Sequence, residues 1–308
     1  MQTLHLLTSP HWKDYELLDS GGGRKLERFG PYLFVRPEVQ ALWKPALPAA
    51  RWNAAHAVFV PTGEESGGHW EFRQTIAETW EMTYPLQTRL SENKRIILRF
   101  SVMTTPGRHL GVFPECAANW EWAVEQLGRA QREGRRDLRV LNLFGYTGLA
   151  TLACAAAGAQ VTHVDASKKS VAWARENAAR SGLADRPIRW IVDDALKFVQ
   201  REGRRGVKYD GILLDPPKFG RGPKGEVWEV YQSLPHLLAA CQQILSPQPL
   251  FVLLTVYAVK LSSLHAAEAL KDALNSRPGT LECGELVTVE TSAGRLLSQA
   301  VYARWQAR

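Results

Sequence analysis

The stretch from Val140 to Asp165 constrains the fold of this chain more than any other. Val140 to Leu143 reads apolar, apolar, polar, apolar and runs straight into a turn holding Gly145 and Gly148. Leu149 to Ala157, which follow, are strong helix formers with no breaker. Gly158 ends the helix, and Gln160 to Val164 read as a second strand that delivers a carboxylate, Asp165, to its carboxyl edge. This is a βαβ unit. In such a unit the helix amino terminus turns free backbone N–H groups toward a ligand, and an acid ending the second strand accepts hydrogen bonds from both ribose hydroxyls. The ligand predicted contains an adenosine-like moiety. Taken alone, the same residues also fit a βαβ core with no ligand, because two glycines and one aspartate recur by chance.

The turn sorts the adenosine cofactors. A dinucleotide site wants Gly-x-Gly-x-x-Gly, because its backbone must approach a pyrophosphate closely, and here Phe144 and Tyr146 stand where small residues are expected. Gly-x-x-x-x-Gly-Lys-Ser/Thr is absent, which argues against a phosphate-cradling ATPase loop. S-adenosylmethionine carries ribose and adenine but no phosphate, and it tolerates a bulkier turn. It is the expected cofactor, with S-adenosylhomocysteine as product.

Downstream, strand and helix patterns keep alternating: helix 168–181, strand 188–192, helix 194–202, strand 209–214, helix 227–245, strand 250–256 and helix 262–275. Two strands near 284–290 and 298–304 close the chain. Such alternation predicts an α/β fold with a doubly wound, mostly parallel sheet and helices on both faces, and the final pair predicts an antiparallel edge. Ligands of open α/β sheets sit outside the carboxyl ends of the strands. Those ends read Asn142 to Gly148, Asp165, Asp193-Asp194-Ala195 and Asp215-Pro216-Pro217-Lys218-Phe219-Gly220. Asp194 stands at a helix start, where it can cap that helix or accept the adenine amine. Pro216 and Pro217 fix the backbone after an apolar strand and hold the Asp215 carboxylate rigidly at the crevice. Methyl transfer from a sulfonium needs an in-line approach, which a rigid acceptor of the substrate's amino protons provides.

Residues 1–107 have a different character. Short aromatic and β-branched runs (Tyr32 to Val35, Ala57 to Val60, Trp70 to Phe72, Arg95 to Val102) alternate with turn clusters such as Gly63 to Gly68. They predict a small β-rich amino-terminal domain, ahead of a catalytic domain over 108–308. Trp12, Trp43, Trp52, Trp70 and Trp80 are expected in its core. Residues Thr104 to Phe113 read as a join, and Pro114 opens a helix that continues through Trp120 to Leu127.

The longest apolar run, Leu250 to Val259, is broken by Thr255 and is far short of the roughly 20 residues a membrane span needs. No secretory pattern opens the chain, so a cytoplasmic protein with no membrane partner is expected. Cys116, Cys154, Cys241 and Cys283 lie far apart without ligand spacing and read as reduced thiols with no metal site. The net charge of +7 permits an anionic partner. Lys and Arg nevertheless number 13 against 11 Asp and Glu over residues 1–108, so there is no basic arm and any basic patch is local.

Val-Leu-Asn-Leu-Phe-Gly-Tyr-Thr-Gly, Val-Asp-Ala-Ser-Lys-Lys, Asp-Asp-Ala-Leu-Lys-Phe and Asp-Pro-Pro-Lys-Phe-Gly-Arg-Gly occur in this order over about residues 108–304. In order and spacing they resemble class I S-adenosylmethionine-dependent methyltransferases related to the bacterial large-subunit rRNA cytosine-5 methyltransferases. The resemblance implies a seven-stranded sheet with an antiparallel last strand. It also implies that Phe144, Gly145, Tyr146, Thr147 and Gly148 line the methionine end and that Asp165 holds the ribose, with Asn142, Ala166, Ser167 and Asp215 among the other residues that bind the cofactor. Asp194 and Ala195 would meet the adenine, and Asp215, Pro216, Pro217 and Lys218 would face the acceptor as the catalytic corner. Gly111 to Glu115, with Phe113 among them, resembles the segment that closes over the cofactor. The rRNA relatives place a catalytic cysteine after the fifth strand, whereas here that place reads Leu254-Thr255-Val256-Tyr257-Ala258. Cytosine C5 becomes nucleophilic only after a thiolate adds to C6. A nitrogen acceptor, which needs no covalent intermediate, fits that departure better, whereas Lys218 stands directly after the second proline, where nitrogen methylases usually place an aromatic, so nitrogen and carbon both stay open as the acceptor atom; Cys116, a lone cysteine, reads as structural.

Lys218, Phe219, Arg221 and Lys224 follow the fourth strand on the substrate side, with Trp228 close by. Cations and aromatics at an acceptor mouth suit a phosphate backbone with a stacked base. The expectation is a methyltransferase acting on an RNA base, and rRNA is the substrate the resemblance implies. A methyltransferase of a protein or small molecule, and a non-catalytic RNA-binding protein on the same fold, are the alternatives.

Overall fold

The computed structural model describes residues 3–62, 67–87, 96–257 and 259–308. Arg95 of one predicted strand, Gly63 to Ser66 of one predicted turn cluster and Ala258 of the fifth-strand segment lie outside the described residues. The amino-terminal part begins with β1 (Leu4–Leu7) and continues with β2 (Tyr15–Gly21), β3 (Arg24–Phe29), β4 (Tyr32–Pro37), the short helix α1 (Ala49–Asn53), β5 (Ala57–Pro61) and β6 (Gly68–Phe72). β7 (Trp80–Leu86) and β8 (Ile96–Val102) complete it. Strands β2 to β6 form one sheet in chain order, antiparallel except where α1 carries the chain across and β5 pairs parallel to β4. β7 and β8 pair separately as an antiparallel hairpin.

Two of these strands defeat a pattern reading, because β2 and β3 carry charges that are buried. Arg36 donates two hydrogen bonds to the Glu27 carboxylate, at 2.7 and 2.8 Å, and Tyr15 Oη donates a third at 2.9 Å. The paired charges hold the Glu27 carboxyl down at about 2 despite its burial. Trp52 and Trp80 are buried, while Trp12, Trp43 and Trp70 are half-buried and hydrogen-bonded to backbone carbonyls. These tryptophans pack the fold, as the sequence predicts.

The rest of the chain begins with α2 (Ala117–Arg132), β9 (Arg139–Leu143), α3 (Leu149–Ala156), β10 (Gln160–Asp165), α4 (Lys168–Arg180), β11 (Ile188–Val192), α5 (Ala195–Arg204) and β12 (Gly211–Leu214). A small hairpin, β13 (Phe219–Arg221) and β14 (Val227–Glu229), precedes α6 (Val230–Ile244), β15 (Phe251–Val256), α7 (Ser263–Ala273), β16 (Gly279–Val289) and β17 (Leu296–Ala307). The large sheet has the order β1-β16-β17-β15-β12-β9-β10-β11. β15, β12, β9, β10 and β11 are mutually parallel, and β17 runs antiparallel to both β15 and β16. Side chains alternate across it, as pleating demands. Val140 faces the core shared with α2 and α3, and Leu141 and Leu143 face the core shared with α5, α6 and α7.

Seven of these strands give the expected doubly wound sheet with its antiparallel member. The eighth, β1, comes from the amino terminus and pairs parallel to β16, Leu4 opposite Cys283 through Leu7 opposite Leu286. Seven is therefore corrected to eight. The helix predicted from 227 begins only at Val230, because Val227 and Trp228 pair with Arg221 and Gly220 in the hairpin. Glu229 caps that helix by accepting from Tyr231 and Gln232 N–H. No helix among the described residues is long and apolar enough to cross a membrane.

Candidate active site

The turn after β9 has an unusual backbone. Phe144 and Tyr146 take φ of +58° and +47°, the left-handed region that side chains avoid, and Gly148 takes +88°. Each non-glycine residue there costs on the order of 1–3 kcal/mol and persists only where its surroundings over-determine it. Here they do. Gly145 N–H donates to Val164 O at 3.0 Å, Tyr146 N–H donates to Asp165 Oδ2 at 2.9 Å, and Gly148 N–H donates to Gly145 O at 2.9 Å. The Phe144 ring packs 4.8 Å from that of Trp228, whose Nε1 donates to Pro217 O at 2.7 Å. Gly145 must be glycine for space, since a Cβ would stand 2.4 Å from the His163 ring. That ring is buried beneath the turn in a polar chain: Asn142 Nδ2 donates to Thr151 Oγ1 at 2.9 Å, and Thr151 Oγ1 lies 2.9 Å from His163 Nδ1. Burial pushes His163 down to about 3, so the ring is neutral.

Asp165 ends β10. Oδ2 accepts from Tyr146 and Oδ1 accepts from Ser167 N–H at 2.8 Å, which leaves each oxygen a further lone pair. Burial raises its pKa, and the two N–H donors pull against that shift. Ser167 caps α4 through Ser170 N–H. Asp194 caps α5 by accepting Lys197 N–H at 2.9 Å, and Asp193 accepts from Arg201 Nη2 at 2.6 Å.

The carboxyl tips of β10, β11 and β12 open into a cleft of about 910 Å³, which falls within the roughly 300–1,000 Å³ usual for small-molecule sites. Phe113, Phe144, Tyr146, Asp165, Ala166, Ser167, Asp194, Ala195, Asp215, Pro217 and Arg221 line it, so the structure brings these predicted residues together. Asn142, Gly145 and Thr147 face a smaller inner cavity of about 70 Å³, which shares Phe113, Phe144, Tyr146 and Asp215 with the cleft. Gly148 does not line either one and sits at the N-cap of α3. Pro216 is buried behind the corner. Lys218 Nζ lies 5.1 Å over the Phe219 ring, which is 57% exposed, and Lys224 is exposed at the hairpin turn.

Asp215 differs from the other acids. Its Oδ1 is buried and has no hydrogen-bond partner among the described residues. Burial and, after it, the charge of Glu115 push its pKa up to about 7. Cys116 lines the inner cavity, and burial raises its thiol well above the usual range, reinforced by Asp215 and Glu115.

One wall was not legible as a site. Thr104 to Gly107 and His109, read from the sequence as a simple join, line the cleft with Met103 before them and with Trp173 of α4. Trp70 on β6 secures this wall by donating to Thr105 O at 2.9 Å and to Gly107 O at 3.1 Å. Asn177 ties it down further, with Nδ2 donating to Thr147 O at 3.0 Å while Oδ1 accepts Ser101 N–H at 3.0 Å. Gly111, at φ +92° with no room for a Cβ against Trp173, is the one local signal that the segment is constrained.

Residues 15–274 match the family model of S-adenosylmethionine-dependent methyltransferases. The solved structure of an S-adenosylmethionine-dependent methyltransferase from Agrobacterium tumefaciens is 43% identical, and the match covers 100% of this chain and 96% of that one with a TM-score of 0.88. Ribosomal RNA large subunit methyltransferase K/L of Shewanella baltica strain OS195 is 37% identical over 111 residues, 35% of this chain. The protein of the same description from Shewanella frigidimarina is 36% identical over 110 residues. The match spans only 15% of the length of either of these two relatives.

Proposed function

We propose, from the premise that this chain belongs to the S-adenosylmethionine-dependent methyltransferases, that it transfers a methyl group to a base of RNA in the cleft over the strand tips. The residues fit the methyl donor. Asp165 keeps a lone pair on each oxygen for the ribose hydroxyls, and the left-handed Phe144–Tyr146 turn presents backbone toward the methionine end. Asp194 and Ala195 line the part of the cleft we assign to the adenine, with Ala166 and Ser167 following Asp165 along the same lining. S-adenosylmethionine supplies an electrophilic methyl carbon on sulfonium when bound. Asp215, fixed by Pro216 and Pro217, faces the acceptor and orients its N–H protons. The Cys116 thiol stays protonated, so covalent addition to a pyrimidine ring is disfavoured and a nitrogen acceptor is favoured.

The observation that carries the RNA reading is the β13–β14 hairpin. Its Arg221 lines the cleft together with Asp215, and next to it in the chain, outside that lining, stand the exposed ring of Phe219, with Lys218 Nζ 5.1 Å from its centroid, and the exposed Lys224, a pairing of stacking surface and cations that suits an unstacked base and its phosphates. The rRNA methyltransferases of Shewanella, similar over about a third of this chain, support the same acceptor class.

The test is transfer of tritium from labelled S-adenosylmethionine into total RNA and total protein from cells lacking the enzyme. Label in RNA is expected, and label in protein alone would overturn the reading. RNA affinity indifferent to S-adenosylhomocysteine and to Asp215→Ala, with no transfer, would mark a non-catalytic binder instead.

A further inference from the structure

Arg304 on β17 is only 5% exposed, yet its hydrogen bonds go to uncharged groups of α2. Nε and Nη2 donate to Asn119 Oδ1 at 3.2 and 2.6 Å, and Nη2 also donates to Ala118 O at 3.1 Å. The carboxylate paired with it, Glu282, stands off at 3.7 Å and accepts from Tyr302 Oη at 2.6 Å. Burial lowers the Arg304 pKa to about 10, which leaves the guanidinium charged at neutral pH. A cation taken out of water is costly unless its neighbours satisfy it. Here the main neighbour is an amide whose other end reaches the site. Because an arginine only donates, Asn119 must turn its oxygen toward Arg304 and its Nδ2 away from it. Nδ2 donates to Thr255 Oγ1 at 2.8 Å, and Thr255 and Asn119 both line the inner cavity. The hydroxyl proton of Thr255 and the second proton on Nδ2 find no acceptor among the described residues. The chain therefore runs one way, from cation to amide to hydroxyl, and each bond polarises the next. No side chain caps α3, whose Leu149 and Ala150 line the same cavity, so its positive amino end adds to these donors. The cavity, about 70 Å³, has room for a small polar group and adjoins the cleft through Phe113, Phe144, Tyr146 and Asp215, which line both. Among the described residues Asp215 is the one acid in its lining, and no lysine or arginine lines it. A bare anion would be repelled there, whereas a carboxylate that carries an ammonium beside it would not.

We propose that Arg304 is a positioning residue for the methyl donor: through Asn119 it fixes the two donors, Asn119 N–H and Thr255 O–H, that hold the carboxylate of the donor's amino-acid end in the inner cavity. The inference rests on the methyl donor occupying the cleft, not on the RNA acceptor. It adds two side chains to the turn residues Phe144 to Gly148, and a cation behind them. Arg304 lines neither the cavity nor the cleft, so it acts only through Asn119.

The test is calorimetry of the full chain with two ligands, S-adenosylhomocysteine and 5′-methylthioadenosine, which shares the adenosine and the thioether but lacks the amino-acid end. The wild type should prefer S-adenosylhomocysteine. Arg304→Gln should weaken S-adenosylhomocysteine roughly tenfold or more and leave methylthioadenosine within about twofold, as loss of a hydrogen bond to a charged group predicts. Arg304→Lys, which keeps the charge but not the two-bond grip, should lose less. Thr255→Val should reproduce the selective loss, and Thr255→Ser should restore binding. A merely structural Arg304 would weaken both ligands alike. Equal loss for the two ligands, or a preference unmoved by Arg304→Gln and Thr255→Val, overturns the proposal. If Arg304→Gln does not fold, Arg304→Lys decides by the same comparison. If neither ligand binds the wild type, the methyl-donor reading fails and this inference with it. If the wild type shows the preference and the variants keep it, the inference alone fails.

Discussion

The Asp165 carboxylate holds the backbone of Tyr146, Oδ2 to N at 2.9 Å, across the gap between two parallel strands. One side chain thus fixes the left-handed turn after β9 and offers its remaining lone pairs to the cleft.

Asp165→Ala removes both functions. Hydrogen bonds to a charged group are worth about 1.5–3 kcal/mol each, so affinity for S-adenosylhomocysteine should fall roughly 100-fold or more by calorimetry. Unchanged affinity would place the ribose elsewhere.

Asn177 is fully buried and joins β8 to the turn, through Ser101 on one side and Thr147 on the other. Asn177→Ala leaves one buried N–H and one buried carbonyl without partners, at about 1–3 kcal/mol for each group. Urea denaturation should show a loss of about 2–4 kcal/mol, and S-adenosylhomocysteine binding should weaken although the residue lies outside the cleft lining. Loss of stability with unchanged binding would uncouple the amino-terminal strands from the turn.

Arg221 and Lys224 are exposed on the β13–β14 hairpin, and Arg221 lines the cleft. If they neutralise phosphates, the double change to alanine should reduce the slope of log affinity for RNA against log salt by about 1.4, at roughly 0.7 per single-strand phosphate. Binding of S-adenosylhomocysteine should not change. A salt slope equal to that of the wild type would remove the hairpin from the RNA path.

The βαβ unit and the strand tips are legible in the sequence because their patterning and function coincide: apolar strands must end where the ligand begins, and acids or glycines mark those ends. The same logic misses β2 and β3. Lys25 and Glu27 read as solvent-facing charges, yet with Arg36 of β4 they neutralise one another in the interior. It misses the β13–β14 hairpin, because Val227 and Trp228 run into a helix and only the contact of Trp228 with Phe144, far earlier in the chain, pulls them out of it. It also misses the wall from Met103 to His109, whose shape depends on Trp70 in a distant strand. Phe144 and Tyr146 gave the right conclusion for an incomplete reason. Their bulk argues against a dinucleotide, but the sequence does not reveal that they adopt the backbone conformation expected of glycine.

Asp215 should cost stability at neutral and alkaline pH. Its folded-state pKa, about 7, lies above the ordinary aspartate value of 3.8, so between these limits the folded chain keeps a proton that the unfolded chain has released. Stability therefore falls as pH rises through that window, and the whole cost is present above pH 7. Asp215→Asn, neutral and of the same shape, abolishes methyl transfer but removes the cost. In urea denaturation the variant should be about 2–4 kcal/mol more stable than the wild type at pH 8, since each tenfold change in proton affinity is worth at most about 1.4 kcal/mol. Near pH 3 the two should be close to equal, because the wild-type carboxyl is then mostly protonated both in the fold and outside it. A variant no more stable at pH 8 would mean that the native carboxylate is satisfied in the fold.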